Sequence, residues 1–310
     1  MKPAFIFPGQ GSQHVGMGLE LVQEYEVAQE TFAQADRILG FSLSNIAWYG
    51  PEAELNDTIN TQPALFTHSL AALKVIQTKF PNLLPAAIAG HSMGEISAIA
   101  ASGAFNFGEG LRLARTRGEL MKRASELSPG GMAAILGLEV PIVEKICTSV
   151  VVDDESLQVA NDNCPGQVVI SGSASALDRA IPILQQTGAR RIIKLAVSIA
   201  AHSSLMSSAQ LCFNRVVNET SIIDPTIPII GNVTAKPLST VQDIRRDLQE
   251  QLTQRVRWSE SVLELKSFGI THYIEIGTGS VLSGLVKRID PTAKTISFGT
   301  PHDFISLLSI

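Results

Sequence analysis

The chain has 310 residues, of which 45% are hydrophobic and 17% are charged, and its formal net charge is −5 at pH 7. It is long enough to bury a sizeable core and to form one large domain or two smaller ones. The negative net charge argues against general nucleic-acid binding, and the composition is typical of a compact α/β enzyme rather than a disordered or filamentous chain.

The apolar runs of the chain are too short for a signal peptide or a membrane span. The stretch from Met1 to Pro8 is only briefly apolar, and no run approaches the roughly 20 residues that cross a bilayer. The cysteines Cys147, Cys164 and Cys212 are odd in number and lack metal-site spacing, which predicts reduced thiols. We therefore expect a cytoplasmic protein with no membrane anchor and no bound metal.

The first part of the chain alternates strand and helix patterns. A strand is predicted at 4–7, followed by a glycine-rich loop and one helix whose apolar residues run from Leu21 to Ile38 and stop at Gly40. A second helix is predicted to begin near Pro63 and to end at Pro81, before another strand and helix at 86–101. This order is typical of a parallel sheet with helices on its faces.

The middle of the chain changes to a β-α-β-β-α-β order, which is that of a ferredoxin-like unit. Its predicted elements are a strand at 132–138, a helix at 141–151, strands at 157–160 and 168–171, a helix at 173–186 and a strand at 191–196. The larger α/β pattern then resumes, with helices predicted from 203 and at 241–252, 259–268 and 281–287, and strands at 227–230 and 272–276. We therefore predict a larger α/β domain formed by residues 1–128 and 198–310, with 129–197 inserted as a small domain.

The segment Gly90-His91-Ser92-Met93-Gly94 lies between a short apolar run and an apolar helical pattern, which is the arrangement of a nucleophile elbow. The glycines are needed where a Cβ would clash with the neighbouring strand and helix. Such a turn exposes the Ser92 hydroxyl and aims the N–H of Met93 at the place where an oxyanion would form. Because the bare pattern also arises by chance, the surrounding strand and helix carry the hypothesis of a serine nucleophile.

A serine nucleophile needs a base, and of the six histidines only His202 lies in a suggestive place. It follows the last strand of the small unit, at a domain boundary where clefts form, although a packing role fits the sequence equally well. His91 is assigned a structural role.

Arg117 lies on the apolar stripe of its helix, where an unpaired guanidinium is costly. It is expected to face a structural carboxylate or the carboxylate of a ligand, and the residues alone favour the structural ion pair.

Two glycine-containing loops follow predicted strands. The loop Pro8-Gly9-Gln10-Gly11-Ser12-Gln13 could complete an oxyanion hole, but it also fits an ordinary tight turn and lacks the third glycine of a dinucleotide fingerprint. The segment Glu275-Ile276-Gly277-Thr278-Gly279 is predicted to be a strand-to-helix turn rather than a phosphate cradle.

Seven short motifs are spread in order over nearly the whole chain: Phe7-Pro8-Gly9-Gln10-Gly11-Ser12-Gln13, Gly90-His91-Ser92-Met93-Gly94-Glu95, Arg117-Gly118 with Met121, Asn163-Cys164-Pro165-Gly166-Gln167, His202-Ser203 with Leu205-Met206, Gln251-Leu252 with Val256 and Trp258, and Glu275-Ile276-Gly277. Together they resemble the malonyl-CoA:acyl carrier protein transacylases, including the discrete acyltransferases that serve polyketide synthases.

The resemblance implies roles for individual residues. Ser92 would be the nucleophile and His202 its general base, with the backbone N–H groups of Gln10 and Met93 forming the oxyanion hole. The main-chain carbonyl of Gln251 would orient the histidine, without an acidic third member.

The resemblance also implies a substrate, a partner and a fold. Arg117, with Met121 nearby, would bind the free carboxylate of a malonyl group, which resolves the question of the buried charge in favour of a ligand. Malonyl would pass from coenzyme A to the phosphopantetheine thiol of an acyl carrier protein, for fatty acid or polyketide synthesis, with no cofactor and with the enzyme a monomer. The implied fold is a hydrolase-like larger domain with a parallel-sheet core and an inserted ferredoxin-like small domain.

Three alternatives stay open at this point. An acyl hydrolase on the same scaffold would clear acyl groups from carriers, but it gains nothing from an arginine in its acyl pocket. A general esterase of the α/β-hydrolase type would need an acid between the serine and the histidine, and a non-catalytic carrier-docking protein would not need Ser92, His202 and Arg117. Ala201 stands where many relatives have phenylalanine, so a methyl-branched acyl group remains an alternative to malonyl.

Overall fold

The structure is a computed structural model that describes residues 3–195 and 199–308. Its strands are β1 (Ala4–Phe7), β2 (Ala87–Gly90), β3 (Gly130–Leu136), β4 (Leu157–Cys164), β5 (Gln167–Ser173), β6 (Arg191–Lys194), β7 (Ile229–Ile230), β8 (Pro237–Leu238), β9 (His272–Ile276) and β10 (Lys294–Phe298). They form a six-stranded sheet in the order β10-β9-β1-β2-β7-β8 and a four-stranded sheet in the order β4-β5-β3-β6.

The α-helices are α1 (Leu19–Glu24), α2 (Glu26–Leu39), α3 (Leu43–Tyr49), α4 (Glu52–Asn56), α5 (Thr58–Lys79), α6 (Gly94–Ala101), α7 (Phe107–Leu127), α8 (Val140–Val150), α9 (Ala174–Gln186), α10 (Ser207–Glu219), α11 (Val241–Leu248), α12 (Trp258–Ser267), α13 (Val281–Ile289) and α14 (Phe304–Leu307). Short 3₁₀ helices cover Ser204–Met206 and Pro301–Asp303. Among the helices of the described ranges, none is both long and apolar enough to cross a membrane.

The six-stranded sheet is the core of the larger unit. Strand β1 pairs in parallel with β2 and β9, and all residues of β1 and β2 are buried. These strands are continuous apolar runs because helices cover both faces of the sheet, and one of these helices, α5, is buried along most of its length. Since parallel strands end at the same edge, the loops after β1, β2 and β9 meet there and form the floor of a cleft.

The four-stranded sheet is antiparallel, and α8 and α9 pack on one of its faces. Numbered within this unit, its strand order is 2-3-1-4, which is the order of a ferredoxin-like fold. The predicted fold class, a larger domain with a parallel-sheet core and a ferredoxin-like small domain, is thus confirmed. Ala196, the predicted end of the last strand, lies outside the described residues, and the domain limits stay a prediction.

Two predicted helices differ from the structure, and one edge strand was missed. The helix expected through 21–38 is two helices, because Tyr25 between them is extended, with φ −129° and ψ 114°. Helix α5 begins at Thr58 rather than near Pro63, since the Asp57 carboxylate caps it and a proline near a helix start removes only one backbone donor. Strand β10 was not predicted, because its alternating polar residues at the sheet edge lack an apolar run.

Candidate active site

A strand-turn-helix elbow holds Ser92 at the carboxyl edge of the six-stranded sheet. A Cβ on Gly90 would lie 2.0 Å from the carbonyl oxygen of Gly94, and a Cβ on Gly94 would lie 2.1 Å from that of Phe7. Ser92 itself has a φ of 53°, in the left-handed region that side chains rarely adopt. Both glycines are therefore required by close backbone approach, and the turn has the geometry that the sequence motif predicts.

Two amide side chains hold the strained backbone of Ser92. The Ser92 N–H donates to Oδ1 of Asn232 at 2.7 Å, and Nδ2 of Asn232 donates to the carbonyl of Gly90 at 2.7 Å. Nε2 of Gln251 donates to the Ser92 carbonyl at 3.1 Å. Sequence reasoning missed Asn232, because it is far from the elbow in the chain and belongs to no motif that was recognised.

A pair of buried carboxyls lies behind the elbow. Glu95 accepts from the backbone N–H of Asn232 at 2.8 Å, and Asp247 accepts from the same N–H at 3.2 Å. Burial and the neighbouring Asp247 raise the pKa of Glu95 well above its usual value, and burial raises the pKa of Asp247 to about 6. The two carboxyls therefore share protons and act as hydrogen-bonding groups of the scaffold.

The His202 ring lies against the nucleophile, with Nε2 2.8 Å from Oγ of Ser92. Its Nδ1 lies 2.8 Å from the carbonyl oxygen of Gln251 and 3.1 Å from that of Gln254. A carbonyl only accepts hydrogen bonds, so Nδ1 carries the proton and Nε2 presents a lone pair to the serine hydroxyl. Burial, followed by the charge of Arg117, lowers the pKa of His202 to about 3, which keeps the ring neutral at pH 7.

The guanidinium of Arg117 is 1% exposed and lies beside the same serine, with Nη2 3.1 Å from Oγ of Ser92. Its other contacts are amide oxygens, those of Gln251 at 2.9 and 3.2 Å and that of Gln62 at 2.9 Å. Burial lowers its pKa to about 10, so it stays charged at pH 7. The structural ion pair favoured by residue pattern alone is wrong, since none of the ion pairs found in 3–195 and 199–308 includes Arg117.

The loop after β1 packs directly on the elbow. A Cβ on Gly9 would lie 2.4 Å from the carbonyl oxygen of His91, which brings Gln10 to the edge of the site. The hydroxyl of Thr58 donates to Oε1 of Gln10 at 2.9 Å and fixes its side chain. Met93 follows the serine at the start of α6, where its backbone N–H belongs to the first helical turn.

A cleft of about 330 Å³ lies between the two sheets. Of the residues predicted from the sequence, it brings together Gln10, Ser92, Arg117, Met121 and His202. The antiparallel sheet contributes the opposite wall, formed by Met132, Ala134, Asn161, Asn163, Gln167, Val169 and Leu195. In the part of the chain that is described, no group of three or more histidine, cysteine or carboxylate side chains is placed to hold a metal ion.

His91 joins the two units at the cleft. Its Nε2 lies 2.9 Å from Oδ1 of Asn163 on β4, and its ring packs edge-on against Trp258. Burial lowers the pKa of the ring. These contacts support the structural role assigned to His91.

Comparison with known proteins identifies the family. The profile of the acyl transferase domain matches residues 4–295. The chain belongs to the acyl transferase family. This acyltransferase is 42% identical to a protein named malonyl CoA-acyl carrier protein transacylase from Bacillus subtilis, over 97% of the chain and 94% of that relative.

Solved structures give the same family. The acyltransferase superposes on the malonyl CoA-acyl carrier protein transacylase of Coxiella burnetii with a TM-score of 0.96 and 35% identity, covering 100% of this chain and 97% of that one. A second match, with a TM-score of 0.96 and 37% identity, is a malonyl-transacylase in complex with a type II PKS acyl-carrier protein, and covers 100% and 99% of the two chains. The resemblance inferred from the seven motifs is thereby confirmed.

Proposed function

We propose that this acyltransferase moves a malonyl group from malonyl-CoA to the phosphopantetheine thiol of an acyl carrier protein, through an ester on Ser92. The observation that carries the proposal is the buried, charged Arg117 beside a serine that contacts a neutral histidine. A guanidinium whose partners are amide oxygens and the serine hydroxyl, all neutral, is suited to bind a carboxylate that arrives with the substrate. The names of the full-length relatives support the same activity.

In the first half-reaction, the Ser92 hydroxyl attacks the thioester carbonyl while Nε2 of His202 takes its proton. The carbonyl oxygen becomes an oxyanion, which the backbone N–H groups of Gln10 and Met93 stabilise. When the intermediate collapses, the C–S bond breaks and coenzyme A leaves as the thiol, with the proton returned by His202. The product is a malonyl-Ser92 ester.

In the second half-reaction, the thiol of the carrier's phosphopantetheine arm gives its proton to His202 and attacks the ester carbonyl. The C–O bond to Ser92 breaks, and His202 returns the proton to the serine oxygen. No cofactor is consumed. Because a thioester and an oxygen ester are close in energy, the main demand on the protein is oxyanion stabilisation, where one lost donor costs roughly 3–4 kcal/mol.

Arg117 favours transfer over the hydrolase alternative. An enzyme that clears neutral acyl chains has no use for a cation 3.1 Å from its nucleophile, whereas the carboxylate of malonyl can be bound there. Met121 lies in the same cleft, and its sulfur accepts from the Gln62 amide at 3.3 Å, which fixes the two side chains to each other. The proposal includes a cytoplasmic, monomeric enzyme that meets its carrier protein in solution.

The experiment that tests the function is the mass of the intact protein after mixing with malonyl-CoA. The wild type is expected to gain one malonyl group, and Ser92→Ala is expected to gain none. An adduct that persists in Ser92→Ala would place the nucleophile elsewhere.

A second measurement separates transfer from hydrolysis. With holo acyl carrier protein in excess, malonyl-carrier should form faster than free malonate. Free malonate as the main product would favour the hydrolase.

A further inference from the structure

We propose that the side chain of Gln251 is a positioning residue that aims Arg117 at the carboxylate of the acyl group and so sets the preference for carboxylated acyl groups. This inference rests on the proposed function, and it concerns the amide of Gln251 rather than its main-chain carbonyl.

The Gln251 amide oxygen holds one edge of the guanidinium. It accepts from Nε of Arg117 at 3.2 Å and from Nη2 at 2.9 Å, while Oε1 of Gln62 accepts from Nη1 at 2.9 Å. Of the five N–H groups of an arginine, this leaves one on Nη1 and the Nη2 N–H that reaches Oγ of Ser92 at 3.1 Å. Both groups are on the terminal nitrogens of the guanidinium, and Nη2 lies beside the nucleophile, so they are the groups left for a carboxylate to bind.

The orientation of the Gln251 amide is fixed by acceptors on its other side. Its Nε2 donates to the Ser92 carbonyl at 3.1 Å and to a carboxyl oxygen of Glu95. A flipped amide would place its NH₂ group against the guanidinium and its oxygen against two acceptors. Gln251 is 1% exposed and Glu95 is fully buried, so leaving these groups unpaired is costly.

A neutral amide at this position leaves the charge of Arg117 available. A carboxylate in the place of the Gln251 amide would form an internal ion pair with the guanidinium and compete with the substrate. The amide oxygen of Gln251 accepts from Nε and Nη2 of Arg117 without neutralising the guanidinium. The positive charge therefore remains available to bind the ligand.

The two parts of Gln251 can be separated by experiment. Its main-chain carbonyl accepts from Nδ1 of His202 at 2.8 Å, and any residue at position 251 supplies that carbonyl. Loss of the side chain should therefore keep the His202 contact, weaken the support of the Ser92 carbonyl for every acyl group, and in addition impair the recognition of the acyl carboxylate. A merely structural role would impair all acyl groups alike.

The test compares loading of malonyl-CoA and acetyl-CoA by the full-length enzyme, with kcat and KM measured for each. For Gln251→Met we expect kcat/KM for malonyl-CoA to fall about 10- to 100-fold more than kcat/KM for acetyl-CoA, mainly through KM, which corresponds to one hydrogen bond of a charged group. Both substrates lose the support of the Ser92 carbonyl, so the ratio of malonyl to acetyl loading is the readout, since acetyl has no carboxylate to bind. Gln249→Met, at the end of α11 with its amide bonded to Asn218, is the matched control and should keep the wild-type ratio.

Gln251→Glu is the second variant, because it keeps the shape of the side chain and an acceptor for the guanidinium but replaces the NH₂ donor by a carboxylate oxygen. It should lower the ratio of malonyl to acetyl loading more than Gln251→Met does. If Gln251→Met does not fold, Gln251→Glu decides the question.

Equal losses for both acyl groups, or an unchanged malonyl preference in Gln251→Glu, would overturn the inference and leave the proposed function standing. Failure of the wild type to load malonyl would instead overturn the proposed function.

Discussion

Replacing Arg117 by methionine removes the charge while filling much of the same volume. Two N–H groups of Arg117 are available to a bound carboxylate, one on Nη1 and the Nη2 N–H that reaches Oγ of Ser92. A hydrogen bond of a charged group contributes about 1.5–3 kcal/mol, so the two together contribute about 3–6 kcal/mol. We therefore expect kcat/KM for malonyl-CoA to fall roughly 10²- to 10⁴-fold in Arg117→Met.

The assay is the initial rate of acyl-enzyme formation with malonyl-CoA and with acetyl-CoA. The substitution removes the contact of Arg117 with the serine oxygen and leaves amide groups unpaired, and these losses affect both substrates. The ratio of the two rates therefore isolates the contribution of the bound carboxylate. Arg112→Met, which removes a surface arginine from the same helix, is the control and should leave the ratio unchanged, because its ion pair with Glu109 is exposed. Equal losses for malonyl and acetyl in Arg117→Met would refute the carboxylate role.

Three further predictions concern the scaffold and the pocket. Asn232→Leu should lower the free energy of unfolding by about 1–3 kcal/mol and slow acyl-enzyme formation, because the N–H of Ser92 loses its acceptor. An unchanged thermal unfolding temperature would contradict this prediction. Ala201→Phe should lower the ratio of methylmalonyl to malonyl loading, since Ala201 lines the cleft beside His202, and an unchanged ratio would show that position 201 does not bound the acyl group. Burial lowers the pKa of His68 to about 4 from 6.5, so below pH 6.5 the unfolded chain binds a proton that the folded chain does not, and stability falls as the pH drops toward 4. Between pH 6.5 and pH 4, the free energy of unfolding of His68→Gln, measured by urea unfolding, should therefore fall by about 3 kcal/mol less than that of the wild type. If the free energies of the two proteins change in parallel with pH, the assignment to His68 is wrong.

The sequence predicts those features of the fold and the site that are marked by residues close together in the chain. The elbow could be recognised because both glycines lie within two residues of Ser92, although the clash that requires Gly94 is with Phe7 on β1, and because the buried strands β1 and β2 are short apolar runs. The β-α-β-β-α-β order of the small unit was visible for the same reason, whereas the polar edge strand β10 was not.

The support of the site was not predictable from local pattern. Glu95 contacts Asn232 and Gln251 across more than a hundred residues of chain, and no local pattern shows that these side chains meet behind the elbow. The same holds for the neutral partners of Arg117, since an amphipathic pattern shows that a charge is buried but not what it faces. Only the folded arrangement decides between an ion pair and a ligand site.

The base of this enzyme is held by residues of both units. Gln158 on β4 donates to the carbonyl oxygen of His202 at 3.0 Å and to that of Thr253 at 2.9 Å, while the His202 ring is oriented by the carbonyls of Gln251 and Gln254. Sliding of the antiparallel sheet along the parallel one would pull the imidazole away from the serine oxygen. A compound that wedges the two units apart would accordingly inhibit acylation without reaching the nucleophile.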